Sequence, residues 1–285
     1  MDHLSRQAAR ARTKPDDEAV HDVRVAIRRF SQVLSAFESC FASTEVAKMR
    51  SELKRVMCLA GEVRNCDIGY KAVAKLEEPG AVELMKEIRL RRVAAEKKLL
   101  AALDRWAVRG TAEKWRAALE IEGDPAARER TLRVTAGETL PAIAKRFFKR
   151  GERAAEHDAT AADLHRLRIA GKKFRYSIEL FAELYGPRAG RWLEQIAAVQ
   201  TLLGRVNDFH TVRLMIAGTH GNRAIDAALK KKQQRRTREF ARIWAQRFAG
   251  RGTAQRWIRA LEVPSPKPVA SATPATAAAT AVRTA

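Results

Sequence analysis

One helical pattern occurs twice in this chain, and it limits the folds available more than any other feature. Leu164–Tyr185 reads LHRLRIAGKKFRYSIELFAELY. Its apolar positions, Leu164, Leu167, Gly171, Phe174, Ile178, Phe181 and Tyr185, are spaced 3-4-3-4-3-4, the signature of a helix with one buried seam. His165, Arg168, Lys172 and Arg175 recur three or four residues apart along the flank of that seam, so their heads gather on one side. That flank is cationic throughout until Glu179. Moving back 144 residues gives VHDVRVAIRRFSQVLSAFESCF at 20–41. Its seam, Val20, Val23, Ile27, Phe30, Leu34, Phe37 and Phe41, has the same spacing. His21, Arg24, Ala26, Phe30 and Phe37 are identical to His165, Arg168, Ala170, Phe174 and Phe181, and Arg28 and Arg29 match Lys172 and Lys173 in charge.

The duplication extends further. Leu59–Asp67 aligns with Leu202–His210 at an offset of 143, and a basic helix follows in each half: Arg89, Arg91, Arg92, Lys97 and Lys98 in one, Lys230, Lys231, Lys232, Arg235, Arg236 and Arg238 in the other. The expected fold is therefore all-α, an internally duplicated pair of helical bundles with pseudo-two-fold symmetry. A two-fold would put the two His/Arg/Lys stripes in equivalent places, and stripes that face each other would form a central basic cleft. No stretch shows sustained period-2 alternation. Before residue 263, proline stands only at positions 15, 79, 125, 141 and 187, where helices are expected to end or bend.

In chain order, residues 1–14 read as a short basic helix or arm. Pro15-Asp16-Asp17-Glu18 starts a helix expected to reach Phe41. Ser43-Thr44 would cap a second helix running to about Glu78, broken or bent near Gly61 and ended by Pro79-Gly80. Helices are expected over about 81–108, on to Leu119 after Gly110, and over 126–154 with a bend at Gly137–Pro141. The remaining helices are placed at 164–185, 188–217, 223–248 and 254–261, with a turn at Gly123–Pro125 and a loop at Thr219–Asn222. The expected organisation is one domain over 1–262: an N-terminal half at about 16–122, a linker helix at about 126–154 and a C-terminal half at about 160–262. Residues 263–285, rich in Pro, Ala and Thr, read as a disordered tail.

Charge bounds the partner. Lys and Arg number 55 against 33 Asp and Glu, a formal net charge of +22, which favours polyanions. Three cysteines, Cys40, Cys58 and Cys66, form no CxxC and are odd in number, implying a reducing, cytoplasmic setting. There is no apolar signal segment and no run long enough for a membrane span, so membrane insertion is not expected.

The repeated H-x-x-R-V/I-x-x-[RK]-[RK]-F motif, at His21 and again at His165, resembles the conserved histidine α-helical domain (CHAD) family. The likeness spans about residues 16–250 and includes both halves in order. It implies an all-α, duplicated module that binds inorganic polyphosphate. It also implies an anion site built from His21, Arg24, Arg28, Arg29, His165, Arg168, Lys172, Lys173 and Arg175. Arg64, Arg89, Arg92, Lys145, Lys149, Lys232 and Arg235 complete the candidate set: Arg89, Arg92, Lys232 and Arg235 as third-helix cations at the mouth of the cleft, Lys145 and Lys149 as a similar cluster on the linker helix. The expected partner is polyphosphate, with association to polyphosphate granules in the cytoplasm and only non-specific contact with nucleic acid. A nucleic-acid-associated basic protein, or an accessory subunit of a phosphate-polymer enzyme, is the alternative.

The physical chemistry of the residues agrees with an anion site. Guanidinium forks bind phosphate oxygens in pairs, and lysines add point charges. The His residues fit phosphate donation better than metal binding, because zinc needs three or four converging ligands and no HxxxH or carboxylate stands at ligand spacing. Binding should take up protons and tighten below about pH 6.5, the unperturbed His value. No catalytic residues, metal site or cofactor are expected: P-loop, GxSxG and HExxH motifs are absent, and Glu120-Ile121-Glu122 is too isolated to hold Mg²⁺. Gly61 and Gly204 are read as points of close helix approach, with Asp67 and Asp208 pairing to arginines of the two repeated helices. The five tryptophans, 106, 115, 192, 244 and 257, read as core or edge residues, not as base-stacking platforms.

Overall fold

Helix formation follows the seams. The computed structural model describes residues 1–119, 125–217 and 223–262, and every regular element within them is helical. In chain order these are α1 (Asp2–Thr13), α2 (Asp17–Ala36), a 3₁₀ turn (Glu38–Cys40), α3 (Ser43–Val73), α4 (Ala81–Val108), α5 (Thr111–Ala118), α6 (Pro125–Ala155), α7 (Ala161–Leu180), α8 (Ala182–Tyr185), α9 (Pro187–Ile216), α10 (Arg223–Arg247) and α11 (Thr253–Leu261). The Gly123–Pro125 turn falls largely, and Glu120-Ile121-Glu122, the 219–222 loop and the 263–285 tail wholly, outside the described residues.

The starts of the two repeated helices are chemically fixed. Asp16 caps α2, its carboxylate accepting from the Ala19 amide at 2.8 Å. Thr160 and Asp163 form a reciprocal capping box on α7. Both helices end earlier than the apolar spacing predicts. α2 stops at Ala36, and Phe37 leaves the helical path to meet Phe181, their ring centroids 6.0 Å apart. Arg50 donates to the Leu34 carbonyl freed in the last turn and pairs with Glu38 at 2.8 Å, which ties down the short 3₁₀ turn. α7 likewise ends at Leu180, with Phe181 at its cap.

Two helices run on where a break or bend is expected. α3 passes Gly61 without interruption, ends at Val73, and begins from Ala42 with no side-chain cap. α6 runs through Pro141; the residue four positions back, whose carbonyl the proline ring would press, is Gly137, and glycine has backbone latitude to yield. Of the two readings of residues 1–14, the helix is the one observed: α1 is continuous, with Leu4 and Ala11 buried.

The core lies in three patches. Leu4, Val23, Ile27, Leu34, Met49, Leu53, Leu99 and Trp106 fill the space among α1–α5. Phe147, Phe148, Phe174, Ile178, Ile196, Phe240, Trp244 and Trp257 do so among α6, α7, α9, α10 and α11. The third patch, with Val73, Leu84, Ile88, Val212, Ile216, Ile225 and Leu229, joins α3 and α4 to α9 and α10. All five tryptophans are buried. One close approach depends on glycine: a Cβ on Gly151 would lie 1.8 Å from the Trp244 ring. α2 and α7 pack against each other, backed by α3 and α9. That contact positions the site. Among the described residues no helix is long and apolar enough to cross a membrane.

Candidate functional site: a cationic groove between α2 and α7

The seams of α2 and α7 turn Val23, Ile27, Leu167 and Phe174 into the core. The flanks next to those seams therefore meet where the helices pack. The result is a groove of about 580 Å³ lined by Arg28, Ser31, Gln32 and Ser35 of α2, by Arg168, Ile169, Lys172, Lys173 and Tyr176 of α7, and by Glu38 and Arg50.

Burial within a single-sign cluster leaves a strong electrostatic mark. Burial lowers the pKa of Lys172 from the ordinary lysine value to about 6, with Arg168, Arg28 and Arg24 adding repulsion. Arg24 falls to about 10, again chiefly through burial, then through Arg28 and Arg168. Arg168 is lowered for the same first reason, and Asp208 opposes the shift. Burial raises the Asp208 carboxyl while Arg168, Arg64 and Lys172 pull it down. Burial likewise lowers His21; Asp22 counters this, while Arg28, Arg24 and Lys172 reinforce it.

The polar atoms here are incompletely satisfied. Arg168 Nε is buried with no hydrogen-bond partner, and so is Gln32 Nε2. Such groups are costly unless something arrives to accept from them. Arg24 has one protein acceptor, donating from Nη1 to the Met57 carbonyl at 3.1 Å. It reaches there because α3 carries glycine opposite: a Cβ on Gly61 would sit 2.8 Å from Arg24 Nη1. Gly61 thus makes room for a cation, not for a neighbouring backbone. The matching expectation for Gly204 fails, since a Cβ there meets nothing within 4 Å.

The sixteen candidate residues divide. Arg24, Arg28, Arg168 and Lys172 act on one another's charge in one place, and His21 lies half-exposed at their edge. Lys173 stands on the groove wall facing Arg50. His165 is exposed, its Nδ1 3.0 Å from Asn207 Oδ1 on α9. Arg29 and Arg175 turn away together, both bonded to Glu179, at 3.1 and 2.8 Å. Arg64 is bound to Asp17 in the first turn of α2.

Arg92 is a structural pin. It donates to Asp67 at 2.6 Å, to Glu96 and to the Pro15 carbonyl at 2.7 Å. Asp67 therefore pairs with α4, not with the repeated helix α2. Arg89 sits over the Tyr70 ring at 4.8 Å and donates to its hydroxyl. Lys145 and Lys149 line a different groove, along α6. Lys232 and Arg235 are exposed on α10 and line neither groove.

Sequence reasoning missed Tyr176, Gln32 and Arg50; Asp208, read from the sequence as a partner for an arginine of the repeated helix, does act on Arg168 of α7. The first two were within reach: Arg168, Lys172 and Tyr176 form an i, i+4, i+8 row on α7, as do Arg24, Arg28 and Gln32 on α2, whereas Arg175 falls one step off that row. Arg50 comes from α3, and no local spacing marks it.

A family model described as CHAD domain matches residues 1–217. No curated protein matches the chain. Among solved structures, the chain is similar to the CHAD domain from the plant Ricinus communis, with a TM-score of 0.61 and 24% identity over 93% of this chain and 89% of that one. It is also similar to PptA from Streptomyces chartreusis, with a TM-score of 0.58 and 20% identity over 90% of this chain and 96% of that one. Both likenesses are likenesses of fold.

Proposed function

The chain belongs to the CHAD domain family, and on that premise we propose that it is a non-enzymatic module that binds inorganic polyphosphate between α2 and α7. The single observation that carries this reading is the gathering of Arg28, Arg168 and Lys172 on the walls of a half-buried groove, with Arg24 buried beside them and Asp208 the carboxylate that acts on Arg168. Held together in the empty protein, these cations repel and are poorly solvated. A linear polyanion supplies both charge and acceptors. Arginine forks take phosphate oxygens in pairs, and Lys172 is recharged as its neighbours are neutralised.

In this reading 1–262 is one domain. Its halves, at about 16–122 and 160–262 with the helix at about 126–154 between them, are copies related by a pseudo-two-fold axis. The two-fold gives Arg24 and Arg168 equivalent surroundings, and their common loss of basicity on burial supports that. The protein works in the cytoplasm and associates with polyphosphate granules. Nucleic acid meets it only through non-specific charge.

The test is Arg24→Ala, Arg28→Ala, Arg168→Ala and Lys172→Ala made together, with calorimetric titration of polyphosphate and helicity by circular dichroism. Binding should collapse while helicity stays. Unchanged binding in a folded variant would defeat the reading. Incubation with polyphosphate and Mg²⁺ should release no phosphate; release would make the protein an enzyme.

A further inference from the structure

A second basic groove lies on the far flank of α7, facing α6. It encloses about 690 Å³ and is lined by Lys145, Arg146, Lys149, Arg150, Arg153 and Arg166, with one acid, Asp163. The acid is already occupied. Its carboxylate accepts from the Thr160 amide at 3.0 Å and hydroxyl at 2.7 Å, and from Arg166 at 2.5 Å. Arg153 is committed as well, to Glu156 and Asp158. Arg150 donates to the Arg166 carbonyl at 3.2 Å. Among the described residues Lys145, Arg146 and Lys149 are exposed, and no ion pair holds any of them. Their spacing, with Arg150 and Arg153, is i, i+1, i+4, i+5, i+8, which puts them on one face over about 12 Å of helix.

Lys173 connects the two grooves. It lines the wall of the α2–α7 groove, as does Arg50. It stands two turns along α7 from Arg166, which lines the α6 groove, and so lies on the same side of the helix, where α6 packs on α7. Arg146 and Arg50 both act on its ammonium, one from each groove. One extended chain can therefore pass over Lys173 from one groove to the other.

We infer that the two grooves form one cationic track over Lys173, along which an extended polyphosphate held between α2 and α7 continues onto α6. This rests on the polyphosphate reading above and adds a property to it: long chains engage both grooves, short ones only the first. The α6 segment supplies mobile, unpaired charge that grips by counterion release, whereas the α2–α7 segment supplies buried donors.

The experiment compares wild type with Lys145→Ala, Arg146→Ala and Lys149→Ala combined, titrating each with tripolyphosphate, with long-chain polyphosphate and with single-stranded DNA. Alanine at three exposed helical positions keeps α6 intact. The variant should hold tripolyphosphate within about twofold of wild type while losing roughly tenfold or more for the long chain, with a shallower salt dependence. Equal long-chain affinity in the two proteins would overturn the track. So would equal loss for both ligands, which would make α6 part of one compact site. Loss of single-stranded DNA binding with polyphosphate binding intact would assign the groove to nucleic acid and also overturn it. Wild type that binds neither phosphate ligand would instead refute the underlying reading.

Discussion

Lys172 should be a burden on the empty protein. Its folded value of about 6 lies far below the ordinary 10.5. Between those two values the unfolded chain holds a proton that the folded chain does not, so this residue makes stability rise as pH rises through that window. Each pH unit is worth about 1.4 kcal/mol. At pH 8 the full penalty is then about 3 kcal/mol, and partial access to water reduces it to about 2 kcal/mol. Lys172→Met keeps the stem and removes the amine. The variant should be more stable than wild type by about 2 kcal/mol at pH 8, with the gap widening toward pH 6 and closing above pH 10. Urea unfolding followed by circular dichroism at half-unit pH steps reads this directly. Polyphosphate should stabilise wild type more than the variant, because only wild type has this charge to satisfy. Equal stabilities at pH 8, or parallel pH profiles for the two proteins, would refute the reasoning.

Gly61→Ala should drive the Arg24 guanidinium off the Met57 carbonyl. Because the displaced atom ends a flexible side chain, stability should change by less than about 1 kcal/mol, while titration shows weaker polyphosphate binding. Arg92→Ala should do the reverse: it strands the buried Asp67 and costs about 3 kcal/mol in urea unfolding, with affinity per folded molecule unchanged. Binding should take up protons, since a polyanion raises the depressed values of Lys172 and His21. Affinity should then rise as pH falls from 9 toward about 6, a window set mainly by Lys172, and flatten only once both groups are charged in the free protein. Titration in two buffers of different ionisation enthalpy counts the protons.

The helices were legible because their seams are periodic and local. α4 runs over Ala81–Val108 as the spacing indicates, and the stripe residues Arg24, Arg28, Arg168 and Lys172 do meet. What was not legible depends on partners distant in sequence. Phe37 and Phe41 continue the apolar spacing of α2, yet the helix stops before them because Phe37 packs on Phe181 and Arg50 captures the Leu34 carbonyl. Arg29 and Arg175 look like stripe members, but Glu179 collects both. Basic residues on α4 and α6 carry the same charge as those of the groove. Only packing reveals that Arg92 is spent on Asp67 while Lys145 and Lys149 face another groove. The pH window moved for a similar reason. From spacing, histidine was the expected titrating group; burial among arginines brings a lysine into the same range.

The central claim is that the groove between α2 and α7 recognises polyphosphate and does not merely attract negative charge. Competition at fixed ionic strength tests it most directly: labelled long-chain polyphosphate bound to the wild-type protein, challenged with unlabelled polyphosphate or duplex DNA at matched phosphate concentration. The account predicts that polyphosphate displaces the label and DNA leaves it bound. Displacement by DNA at comparable phosphate concentration would contradict it.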